Sequence, residues 1–193
     1  MAKAFKEWAL VCEALGRGEQ SVILRKGGIS EGKSGFGFDH DDFFLFPTWY
    51  HGQIDKVRAN GVRMTGAALP DQDPERITVS YMATLEWAGR IGDKEALHSL
   101  RELHVLDDSV IEERFVYDTR SGSLGGEGIN LAFVRVFRLE PPIVLPMDEA
   151  FGGCRSWIDL PEIESPALVS VLSDEEHRRR RDRFAELLGI SFG

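Results

Sequence analysis

Along AFKEWALVCEAL, residues 4–15, the apolar positions Phe5, Trp8, Ala9, Cys12 and Leu15 recur at steps of three and four. That spacing predicts an amphipathic helix stopped by Gly16 and Gly18. Elsewhere the period changes to two. In ITVSYMATLEW, 77–87, Ile77, Val79, Tyr81, Ala83, Leu85 and Trp87 fall on one side and Thr78, Ser80, Thr84 and Glu86 on the other, as in a half-buried strand. INLAFVRVFRL, 129–139, is apolar at both alternations, so a strand covered on both faces is expected, ended by Pro141-Pro142. Shorter strands are expected at 21–25 and at 43–46, the second ended by Pro47. A final apolar segment follows at Ile143 to Leu145, and 146–172 reads as irregular.

Helix starts are marked by caps. Asp93 precedes a run in which Ala96, Leu97, Leu100 and Leu103 share a face, and Asp107 or Asp108 precedes a shorter run through Val110 and Ile111. Ser173 and Glu176 form a capping box that opens a C-terminal helix. Strands separated by helices, one of them alternating cleanly, predict an α+β fold with a mixed, mostly antiparallel sheet. The order of elements suits a partly closed, PUA-like barrel flanked by short helices. The expected organisation is one domain over 1–172, with the helix of 173–193 docked on it.

Composition narrows the function classes. The 193 residues, 42% hydrophobic and 28% charged, suffice for a core, and no stretch has the length of apolar sequence that a bilayer crossing needs. No membrane association and a cytoplasmic location are expected. A formal charge of −9 opposes general binding to polyanions, so a nucleic-acid partner would need a local basic patch. Two segments supply cations: Arg25, Lys26 and Lys33 within 25–33, and Lys56, Arg58 and Arg63 within 56–63. Cys12 and Cys154 are too few and too far apart for a disulfide framework and read as packing residues.

The candidate chemistry lies in the first of those segments and in the stretch between them. In LRKGGI, 24–29, Arg25 and Lys26 end a strand, and Gly27 and Gly28 are free to aim backbone N–H groups at an anion. The plainer reading is a solvated basic turn. In FFLFPTWYHGQ, 43–53, an apolar strand runs into Thr48, Trp49, Tyr50, His51 and Gln53. Trp49 and Tyr50 could stack a planar ligand, His51 could exchange a proton, and Gln53 could read an amide or base edge; the plainer reading is an aromatic plug over the core.

Other chemistry lacks a frame. The five histidines show no helical metal spacing, and His40-Asp41-Asp42 reads as a solvated turn, so neither a metal nor a cofactor is implied. No nucleophile elbow is present, and Cys12 lies in an apolar stripe that disfavours a thiolate. The arginine run of SDEEHRRRRDRF, 173–184, follows Asp174, Glu175 and Glu176 at the favoured spacing of four. It therefore reads as a self-paired, solvated helix with only Arg181 and Arg183 lacking such a partner.

The blocks KEWALVCEAL, LRKGGI and FFLFPTWYHGQ together resemble a bacterial, largely cyanobacterial family, domain of unknown function 1802. The resemblance implies a setting near nucleic acid, because some members are joined to a restriction-endonuclease-like region, and it implies no catalytic residues. The expected function is a binding module for an anionic planar ligand, a nucleotide or nucleic acid, held by Arg25, Lys26, Gly27, Gly28, Thr48, Trp49, Tyr50, His51 and Gln53. One alternative is an enzyme acting on a phosphate ester, with His51 as general acid or base. A second is an interaction subunit presenting an apolar surface around Trp157, Ile158 and Leu160.

Overall fold

A computed structural model describes residues 2–26, 37–49, 51–59, 62–63, 73–116, 127–163 and 166–192. The chain begins with strand β1 (Ala2–Trp8) and turns directly into helix α1 (Ala9–Gly16). The helix expected over 4–15 is thus half strand. Phe5, Trp8, Ala9, Cys12 and Leu15 satisfy a helical stripe, but the first of these positions lie between two neighbouring strands, and that pairing overrides the local spacing. Strand β2 (Val22–Arg25) follows, then β3 (Asp42–Thr48) and a 3-10 turn at His51–Lys56.

Pro47 does not end β3. Its ladder with the long strand β6 (Arg76–Ile91) covers only Asp42–Phe44, so Pro47 sits beyond the last pair on that side and pairs in parallel with Glu7 of β1 on the other. Between these elements lies a small pair, β4 (Arg58–Ala59) and β5 (Val62–Arg63). Asp93 accepts from Glu95 N at 2.9 Å and opens α2 (Lys94–Ser99), and Asp107 accepts from Ser109 N at 3.1 Å and opens α3 (Asp108–Phe115). Both caps act as their sequence predicts.

Strand β7 (Ile129–Pro146) pairs along β6 and passes through Pro141-Pro142 instead of stopping there. The register shifts between Val79 and Tyr81, so the segment holding both prolines lies where the ladder asks for no donor. The region expected to be irregular contributes two more strands, β8 (Trp157–Leu160) and β9 (Ala167–Ser170), followed by α4 (Asp174–Leu188). Of the glycine-rich segment SGSLGGEG, 121–128, only Glu127 and Gly128 are among the described residues.

The main sheet has the order β2-β7-β6-β3-β1-β8, with β9 also on β7. Only β1 and β3 run parallel among the described pairs, so the fold is α+β with a mixed, mostly antiparallel sheet. The sheet curls into a half-barrel. Its two outermost strands approach each other, because Arg25 at the end of β2 donates to Ser156 Oγ, just before β8, at 2.9 Å.

The inner face packs Phe5, Leu24, Phe43, Leu45 and Phe133 against helical Leu15, Leu97, Leu100, Ile111 and Phe184. Phe184 docks α4, with its ring 5.3 Å from that of Trp87 and 4.9 Å from that of Phe133. Trp157, Ile158 and Leu160 belong to β8, where Ile158 and Leu160 are buried and the Trp157 ring lies 5.0 Å from that of Phe5. The apolar surface expected there is core. Cys154, expected to pack, is exposed.

Candidate nucleic-acid interface at the sheet seam

Where β1 and β3 end together, the chain reverses into α1 and into the 3-10 turn. Trp8 occupies the position before α1 and gives that helix no side-chain cap. Gln53 does so from across the turn. Its Oε1 accepts from Leu10 N at 3.0 Å while its Nε2 donates to Thr48 O at 3.3 Å, and the residue is fully buried. Thr48 Oγ1 in turn donates to Glu7 O at 2.9 Å. Two side chains expected to face a ligand are therefore engaged in joining the ends of β1 and β3. Trp49 is half-buried beside them and His51 is exposed at the first position of the turn. Tyr50, Gly27 and Gly28 lie outside the described residues.

The end of β2 reaches the same place through an arginine that the sequence reading did not single out. Arg114 of α3 is buried, donates to Leu24 O, and holds its guanidinium 4.8 Å from the centre of the Trp8 ring. Burial pushes its pKa down from the ordinary value, and the nearby Glu7 carboxylate opposes that shift. Glu7 is itself buried and accepts from Trp8 N at 2.8 Å. The middle of the seam is thus occupied by an Arg114–Trp8 stack over a buried carboxylate, with Arg25 on one flank, 5.6 Å from the centre of the Phe5 ring.

Beside that stack, most of the charges acting on Lys26 are positive. Burial lowers the pKa of Lys26 first, and the charges of Arg114, Arg25 and Lys56 lower it further against a single opposing Glu113. Lys56 is paired with Glu113 at the outer side. The structure therefore brings Arg25, Lys26, Thr48, Trp49 and Gln53 to one end of the sheet, with Thr48 and Gln53 turned inward. Trp8, Glu7 and Arg114 complete the arrangement. Arg114 was legible in principle, since with Val110, Ile111 and Phe115 it falls on the buried stripe of α3, where a charge demands a partner.

On the opposite side of β1, Lys6 is also buried and donates to Phe151 O at 2.7 Å, Gly153 O at 2.8 Å and Gly152 O at 3.3 Å. It collects carbonyls at the end of the 3-10 turn Glu149–Phe151, and burial lowers its pKa. This cation is structural.

Comparison with known proteins gives a family. A family model described as a domain of unknown function (DUF1802) matches residues 4–183, and the chain belongs to that family. None of the curated proteins matches. Among solved structures the chain is similar to ASCH from Zymomonas mobilis, with 14% identity, 94% of each chain covered and a TM-score of 0.42. It is similar also to a mutant of that protein, with 12% identity, 94% of each chain covered and a TM-score of 0.40. None of the described helices is long and apolar enough to cross a membrane.

Proposed function

We propose that this chain is a binding module for an anionic, planar ligand, a nucleotide or nucleic-acid strand, received at the seam where β1, β2 and β3 end. The observation that carries the reading is the gathering of Arg25, Lys56 and Arg114 around Lys26, opposed by Glu113 on Lys56 and Glu7 beside Arg114, in a chain whose formal charge is −9. Like charges held together raise the energy of the free protein, and a phosphate brought among them relieves that cost. Trp8 lies under a guanidinium, and Trp49, half-buried just after β3, enters the proposal as a second ring for the base attached to a phosphate. His51 stands at the rim, and Gly27, Gly28 and Tyr50 enter the proposal from the sequence alone. Thr48 and Gln53 set the position of this corner.

The test is a tryptophan fluorescence titration of the wild-type chain with nucleotides and short single and double strands, repeated with Trp49→Phe and Lys26→Glu. Saturable binding that weakens with salt is expected, with a smaller salt dependence, by about one counterion, in Lys26→Glu. Absence of any change up to millimolar ligand removes the reading. A phosphate-ester turnover that disappears in His51→Ala would replace it with the catalytic one.

A further inference from the structure

A recess lined by none of the seam residues opens between the end of α2, β4 and α4. It has a volume of about 700 Å³, and its walls carry Arg58, Arg101, His104 and Arg183. Space of that size is typical of a small-molecule site.

The histidine makes it unusual. His104 is buried, and its Nδ1 accepts from Leu106 N at 3.1 Å. A ring nitrogen that accepts carries no proton, so the proton of the uncharged ring resides on Nε2. That N–H has no partner among the described residues and is closed to water. Burial, followed by the charges of Arg58, Arg114 and Arg101, drives the ring's pKa down to about 3, so it remains an uncharged donor at neutral pH. A buried donor left unpaired is costly, and an apolar side chain of similar shape would avoid the cost.

The surrounding cations differ in how firmly they are held. Arg58 is spent on three carbonyls, those of Leu106 at 2.9 Å, His104 at 3.1 Å and Arg101 at 3.2 Å, and fixes the floor. Arg101 is paired with Asp108 at 2.6 Å, and Arg183 with Glu102 at 2.6 Å and Glu186 at 2.7 Å, all of them exposed pairs. Exposed pairs hold weakly, so both guanidiniums can turn from their carboxylates to a ligand, and the His104 Nε2–H meets that ligand only once the packing that closes it from water opens. Three arginines line the recess beside Glu19 and Glu102, and Asp108 and Glu186 hold two of them from its edge.

We propose that this recess binds a phosphate monoester, whose oxygens accept from His104 Nε2–H and from the turned Arg101 and Arg183. A phosphate offers three terminal oxygens to these three donors, one more than a carboxylate has. The volume beyond the phosphate admits the group it esterifies.

The test follows the His104 imidazole by two-dimensional NMR of the full chain during titration with inorganic phosphate and with AMP. Both probes are expected to move the Nε2–H resonance saturably, AMP at the lower concentration. Arg101→Gln with Arg183→Gln should raise each Kd by about tenfold or more. His104→Asn, whose side-chain oxygen can still accept from Leu106 N, should weaken AMP binding in a calorimetric titration. A His104 resonance unmoved by millimolar phosphate and AMP, or a shift that persists unchanged in the double arginine variant, overturns the proposal. Lys26→Glu should leave this titration as it is in wild type, so failure here is distinguishable from failure of the seam site.

Discussion

Helix α4 and the sheet seam both concentrate arginine, and they use it in opposite ways. On α4, Arg179, Arg180 and Arg183 are met by carboxylates. Glu176 accepts from Arg179 and from Arg180, the latter at 3.4 Å; Arg183 takes Glu186 and Glu102; and Asp174 reaches across to Arg135. The seam instead holds Arg114 buried and Arg25 half-buried, bonded to a carbonyl and a hydroxyl and lying over aromatic rings. A guanidinium whose carboxylate is one turn away contributes little field beyond the helix surface. Arg25, whose hydrogen bond goes to a neutral hydroxyl, keeps its charge available, while Arg114 also balances the buried Glu7 carboxylate. The length of an arginine run is thus a poorer guide to an anion site than what each arginine is bonded to.

The comparison breaks most sharply at Arg114. Replacing it by Ala should leave Leu24 O and the buried Glu7 without their cation and destabilise the chain by about 3 kcal/mol or more, read as a lowered urea midpoint. Lys6→Met removes the donor to three carbonyls and should cost about 1–3 kcal/mol in the same measurement, marking the other cation that β1 holds inside the protein.

His104 sharpens the contrast through pH. Its folded pKa of about 3 lies below the ordinary value of 6.5, so the unfolded chain binds the extra proton between those values. Its stability contribution is fully present above pH 6.5 and is lost as the pH falls toward 3, by up to about 1.4 kcal/mol per unit. The stability of wild type relative to His104→Asn should therefore fall from pH 7.5 to pH 5 in urea unfolding. A gap that stays constant would show that the ring titrates normally. The smallest effect belongs to α4, where Arg179→Ala should leave the unfolding midpoint unchanged, because its pair with Glu176 is exposed.

Much of this fold was readable because caps and alternation are local. Asp93, Asp107 and Ser173 open helices where the sequence places them, and 77–87 lies within β6, although Ile77 and Val79 pack in a separate cluster from Tyr81, Ala83, Leu85 and Trp87 across a register shift. Misreadings occurred where a partner far along the chain decided. Phe5 and Trp8 fit a helix until β3 and β8 flank them, and Pro47 and Pro141 fit strand ends until the register shows that no neighbour needs their missing N–H. At the site, Arg25, Lys26 and Trp49 were visible as types of side chain next to turns. The inward direction of Gln53 was not, because nothing local says that Leu10 N lacks a cap. Arg114 and His104 are single polar residues whose roles exist only after α3 and the 104–106 segment dock.

The central claim is that the seam, and not the arginine helix, meets the anion. Fluorescence anisotropy of a labelled short single strand, measured across a salt series, tests it with wild type, Lys26→Glu and a double Arg178→Ala, Arg179→Ala variant. The account expects Lys26→Glu to raise Kd by about tenfold or more with a shallower salt slope, while the α4 variant stays within about twofold of wild type. Strand binding that survives Lys26→Glu and is lost in the α4 variant would contradict it.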